Sequence, residues 1–223
     1  RAMAHHLFGR GRSSLKLSSV RGSFLQRGRE LGLPSDSWLG FSTASSRLLS
    51  SMPAYNTSPS SYIPGHADAA GTANYAKKIG SGAAAGHFRV LRAGGKIGDL
   101  IVSSIGIGTY LGPDNDSVDR EYMESLTRSL TLGINVIDCA ANYRTMRSEL
   151  LIGHTLAMAI KQGIVNRNEV VICSKAGFLA FDYRESIDPY TYIDDTYIKT
   201  NLFTRDEFVG GCHCLSPAYL KNQ

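Results

Sequence analysis

"GINVIDCAANYRTMRSELLIGHTLAMAIKQGIVNRNEVVICSKAG" (Gly133–Gly177) carries two short apolar runs separated by a helical period. Ile134 to Ile137 reads as a strand. Ile152, Leu156 and Ile160 then recur at the spacing of one helix face, which Gly163 would close, and Val170 to Cys173 reads as the next strand. From Val136 to Val171 is 35 residues, the length of a strand, helix, strand unit with parallel strands.

Working outward, the same pattern precedes it. Ser103 to Ile107 reads as a strand. Val118, Tyr122, Leu126 and Leu130, with Met123, recur at helical spacing after a polar start at Asp116 and Ser117 and before Gly133. Further upstream, "HFRVLRAGGKIGDLIVSSIGIG" (residues 87–108) predicts a hairpin turning at Gly94 and Gly95. Alternation of this kind predicts an α/β protein whose parallel strands are covered by helices. Periodicity alone leaves a barrel and an open sheet as alternatives. No G-x-G-x-x-G opens a helix after a strand: Gly106, Gly108 and Gly112 are too widely spaced and lead into "PDND".

Composition sets further limits. At 223 residues, 43% hydrophobic and 19% charged, the chain is ordinary for a globular protein, and no apolar run reaches the length of a membrane span. The net charge of +5 is not spread evenly. Residues 1–52 hold eight Lys/Arg against only Glu30 and Asp36, which leaves 16 basic and 17 acidic residues for the rest. A basic nucleic-acid face on the body is therefore not expected. Arginine and serine scattered among Leu, Phe and Val give residues 1–52 the composition of a disordered transit peptide, addressed to the mitochondrion or alternatively to a plastid. Met3 reads as the initiator, with Arg1 and Ala2 upstream of it. Residues 53–86, rich in Ser, Gly, Ala and Pro, read as a linker ahead of a domain at 87–223. Cys139, Cys173, Cys212 and Cys214 form neither a CxxC pair nor a zinc spacing, so free thiols and no metal are expected.

In parallel α/β proteins functional side chains sit just past the carboxyl ends of strands. Here those positions are Gly108, Thr109 and Tyr110, then Asp138 with Tyr143, then Ser174 and Lys175. Alternate strand residues share a face, so Asp138 lies with Val136, Lys175 lies with Cys173, and Cys139 points to the opposite layer. A tyrosine is a poor acid at neutral pH unless a cation favours its phenolate. Lys175 is placed to supply that cation, Asp138 to hold it, and Tyr143 to act as general acid.

These residues resemble the aldo-keto reductase superfamily through "IGIGTYLG", "GINVIDCAANYR", "SELLIGHTLA" and "VVICSKAGF", and the resemblance runs from about Val90 to Gln223. It implies an eight-stranded (β/α)8 TIM barrel closed at its bottom by the N-terminal hairpin. It also implies reversible hydride transfer between NADP(H) and a small carbonyl or alcohol. Asp138, Tyr143 and Lys175 match the family's catalytic Asp, Tyr and Lys. Gly108, Thr109 and Tyr110 match the stretch beside the nicotinamide, with Asp138 at the same edge.

The family's fourth catalytic residue, a histidine, should follow the helix that Ser216 and Pro217 open, and the sequence ends at Gln223. His213 precedes that helix and is not assigned the role; His154 reads as a packing or surface residue. Residues 90–223 also fall well short of the roughly 200 residues a barrel needs. The expectation is an incomplete barrel, a hairpin plus about three βα units, inactive as this fragment. The alternative is a cofactor-binding or structural subunit without turnover. Residues 179–215, long for a loop, read equally as a substrate lid, a hairpin packed outside the barrel or a docking surface.

Overall fold

The computed structural model describes residues 63–95, 97–182 and 188–223. The transit-peptide-like segment 1–52 and residues 53–62 of the expected linker lie outside the described residues.

The rest of that linker is not a linker. Residues Ala69–Ile79 form helix α1, capped by Asp68, whose carboxylate accepts from Gly71 N at 2.6 Å, and ending on Lys77 and Lys78. Only Gly71, Thr72 and Tyr75 are buried, so the inward face is too narrow to announce itself as a period in the sequence. Tyr75 is fully buried, and its hydroxyl donates to Leu130 O at 2.5 Å. Gly71 allows the helix to lie directly on the backbone of Asn168: a Cβ there would stand 2.3 Å from Asn168 O.

The hairpin forms as expected, with β1 (Phe88–Arg92) and β2 (Asp99–Ser103) antiparallel and a turn through Gly94 and Gly95, both at positive φ. Side chains satisfy the other edge of β2. Ile101 N donates to Thr72 Oγ1 at 3.0 Å, Ser103 N donates to Asn135 Oδ1 at 2.9 Å, and Asn135 Nδ2 donates to Ile101 O at 3.0 Å. Ser103 thus belongs to β2. The next strand, β3 (Ile107–Gly108), starts later than the apolar run suggests, because Ser103 is held by Asn135 and Ser104 N by His87 O.

Strands β3, β4 (Val136–Asp138) and β5 (Val171–Cys173) make a parallel sheet in sequence order. Its register sets Gly108 beside Asp138 and Asp138 beside Cys173, so the three carboxyl ends stand level. Helix α2 (Asp116–Thr131, capped by Asn115) and helix α3 (Arg147–Lys161) pack on each other and on the sheet. Leu126, Leu130, Ile137, Leu151, Leu156 and Val170, with Cys139, form the core between them. Ile137 and Cys139 face the helices, while Val136 and Asp138 are partly exposed, as strand alternation requires. The described residues therefore form a mixed α/β unit around a parallel sheet, consistent with the opening part of a β/α barrel.

Residues 179–215 fold as more than a loop. Helix α4 (Pro189–Ile193) runs into a π-helical turn (Asp194–Ile198), and β6 (Phe208–Val209) pairs antiparallel with β7 (His213–Cys214). Helix α5 (Pro217–Asn222) follows, with Ser216 accepting from Tyr219 N and Pro217 in its first turn, as the sequence predicts. Leu179, Ile193, Tyr197, Phe203, Cys214 and Tyr219 form a second apolar cluster, in which the Tyr197 ring stacks on Phe203 at 5.6 Å and meets the Tyr219 edge at 5.3 Å. All four cysteines are free, and among the described residues no helix is long and apolar enough to cross a membrane.

Candidate active site

Beyond the last ladder pairs, the chains leaving β4 and β5 stay hydrogen-bonded: Cys139 N donates to Cys173 O at 2.8 Å and Ala141 N to Lys175 O at 3.1 Å. This zipper carries Lys175 alongside Asp138. The ammonium makes three contacts, to Asp138 Oδ1 at 2.7 Å, Cys139 O at 2.8 Å and Tyr143 Oη at 3.0 Å. An ammonium has three protons, and each is engaged. The phenol oxygen is therefore an acceptor towards the lysine, which leaves its own proton to be donated elsewhere. The Lys175 side chain also lies over the Tyr143 ring, 4.8 Å from its centroid. The hydrogen bond that the ammonium donates to Asp138, and then the one it donates to Tyr143, hold the lysine pKa above its ordinary value, so the cation persists through the physiological range. Lys175 and Asp138 are each about half exposed (51% and 48%), so the trio opens to solvent at the sheet edge.

Gly108 and Tyr110 border the same opening. No atom lies within 4 Å of where a Cβ on Gly108 would stand, and Tyr110 is 63% exposed with its ring 5.0 Å from that of Tyr143. Thr109 does not share this position. It is fully buried, because alternation turns it to the helix side; its hydroxyl and its N–H both donate to Asp138 O, at 3.0 and 3.2 Å. Ser148 Oγ donates in turn to Thr109 O at 2.7 Å. Of the four residues expected beside a cofactor, Gly108, Tyr110 and Asp138 face the opening, and Thr109 braces Asp138 from beneath.

Sequence reasoning missed what holds Tyr143. Arg144, Thr145 and Met146 follow it with φ of 50°, 52° and 71°, three successive non-glycine residues in the left-handed region, each costing about 1–2 kcal/mol. Arg144 and Arg147 converge on Asp119, itself almost fully buried: Arg144 Nη2 lies 2.5 Å from Asp119 Oδ1 and Arg147 Nη2 2.6 Å from Asp119 Oδ2. Arg147 also pairs with Asp116. The signal was present in α2, where Asp119 occupies the same face as Met123, Leu126 and Leu130. A carboxylate on an apolar face requires a buried cation. His213 is exposed on β7 against the Phe178 ring, and His154 lies on α3. Among the described residues no group of three or more His, Cys, Asp or Glu side chains is arranged to hold a metal ion.

The carboxyl edge of the parallel sheet thus brings an aspartate, a lysine and a tyrosine into mutual contact at a solvent-open position. Residues 104–198 match the model of the aldo/keto reductase family. A solved structure of an aldo-keto reductase complexed with NADPH is 28% identical over 40% of this chain and 27% of that one, with a TM-score of 0.31. The chain thus spans about a quarter of that protein's length. No curated protein matches the chain.

Proposed function

We propose that these residues form the Asp, Tyr and Lys portion of an NADP(H)-dependent reductase that interconverts small carbonyls and alcohols, turnover belonging to the whole protein. The observation that carries this reading is the three-way coordination of the Lys175 ammonium by Asp138, Cys139 O and Tyr143. A nicotinamide suits the opening beside the trio. The space above Gly108 is unfilled, the exposed Tyr110 ring offers an aromatic flank, and no dinucleotide fingerprint competes for the role. When bound, NADPH supplies the hydride.

The chain's own residues supply the proton. Tyr143 Oη donates to the carbonyl oxygen as negative charge develops there, and takes the proton back in the oxidative direction. Lys175 already donates to that phenol oxygen, so the phenolate left behind forms against a fixed cation. Asp138 anchors the ammonium, and Thr109 with Ser148 fixes the backbone from which Asp138 projects. Residues 1–52 are proposed as an organelle address, to the mitochondrion or alternatively to a plastid, ahead of the reductase domain.

The test adds NADPH to the purified whole protein, follows fluorescence quenching, then adds an aldehyde and follows absorbance decay. Quenching with aldehyde-dependent decay is the expected outcome. Quenching without decay favours a cofactor-binding subunit, and neither signal contradicts both readings.

A further inference from the structure

We propose that Arg144 is a positioning residue for Tyr143, clamping the left-handed turn that sets the phenol on Lys175. The inference rests on the reading of Tyr143 as the proton donor.

Neighbours in the chain serve opposite sides of it here. Tyr143 reaches the half-exposed ammonium of Lys175, while Arg144, 7% exposed, runs back into the seam between α2 and α3. Its guanidinium donates to Pro113 O from Nε at 3.2 Å and from Nη2 at 2.9 Å. Nη2 also reaches Asn115 O at 3.4 Å and Asp119 Oδ1 at 2.5 Å, and the group lies over the Tyr122 ring at 5.1 Å. Two backbone bonds close the far side of the turn: Arg147 N donates to Arg144 O at 3.1 Å and Ser148 N to Tyr143 O at 3.3 Å. A run of three left-handed residues without glycine persists only where its surroundings over-determine it. Within the run, Thr145 Oγ1 makes one exposed donation to Asp114 Oδ2 at 3.1 Å, whereas Arg144 supplies the buried constraint, and a planar fork is needed to reach two carbonyls and a carboxylate together. Removing it leaves Arg147 on Asp119, so the buried carboxylate keeps a cation while the turn loses its anchor.

The experiment uses the full chain with 13Cζ-labelled tyrosine, the Tyr143 resonance being assigned by Tyr143→Phe. In the wild type, Lys175→Met is expected to move that resonance. In an Arg144→Met background the same change should move it little, because the phenol has already left the ammonium; Arg144→Lys should be intermediate and serves if Arg144→Met fails to fold. An undiminished response in Arg144→Met, or in Arg144→Lys where only that variant folds, overturns the proposal. A merely structural arginine would lower the urea midpoint and leave this coupling intact. In steady-state assays kcat should fall on the order of 10- to 100-fold with KM for NADPH unchanged. A whole protein without turnover removes the reductase reading, and the resonance experiment still decides the clamp.

Discussion

Replacing Asn135 by leucine should detach the hairpin from the sheet at a cost that follows from its hydrogen bonds. Asn135 is fully buried; Oδ1 accepts from Ser103 N at 2.9 Å, and Nδ2 donates to Ile101 O at 3.0 Å and to Glu169 O at 3.2 Å. Leucine has similar volume and none of these groups, so three backbone partners lose their contacts. At roughly 1–3 kcal/mol for each buried group left unsatisfied, the loss is about 3–9 kcal/mol. The added apolar burial returns about 1–2 kcal/mol. The net destabilisation is about 1–8 kcal/mol, a fall in Tm on the order of 10 °C. Urea unfolding of the two proteins checks this, with a lower midpoint and an unchanged slope expected. A loss below about 1 kcal/mol would refute the view that one side chain fastens β2 to β4 and to the turn before β5.

Three further outcomes are open to measurement. Gly71→Ala gains roughly 1 kcal/mol of helix propensity but drives a Cβ to 2.3 Å from Asn168 O, so the urea midpoint should fall; a raised midpoint would show that α1 does not lie on that turn. Met146→Gly relieves one left-handed residue and should stabilise the fold by about 0.5–1 kcal/mol, whereas destabilisation in calorimetry would argue against strain there. Burial pushes the Cys139 thiol up to about 11, so below that pH it stays protonated and unreactive. Iodoacetamide at pH 8 should therefore label exposed Cys173 in the native protein and label Cys139 and Cys214 only after urea is added, as peptide mass spectrometry would show.

The sheet and its site residues were legible because each depended on a local pattern. Level strand ends followed from apolar runs at even spacing, and the partition of Asp138 from Cys139 followed from strand alternation. Long-range polar contacts were not legible. Helix α1 shows three buried residues in eleven, below what a periodicity reveals, and its docking depends on a glycine meeting the backbone of Asn168. The burial of Thr109 was implicit in the alternation that exposed Gly108 and Tyr110, but family resemblance groups the three. Arg144 and Arg147 carry no local pattern that marks them as buried until Asp119 is recognised as a carboxylate on an apolar face, and the left-handed run from Arg144 to Met146 contains no glycine to mark it. Residues 179–215 had an aromatic composition that the sequence could not resolve into lid, hairpin or interface. In the structure Phe181, Tyr192, Tyr197, Phe203 and Phe208 pack in a chain of ring contacts, while Tyr190 is exposed.

The most direct test of the account is the rate of NADPH oxidation by an aldehyde in the whole protein, wild type and Tyr143→Phe, measured at saturating cofactor. Phenylalanine keeps the ring and removes only the oxygen that Lys175 touches at 3.0 Å. The expected result is a fall in kcat of about 10²- to 10⁴-fold with NADPH binding preserved. Equal rates in the two proteins would contradict the claim that this phenol carries the proton.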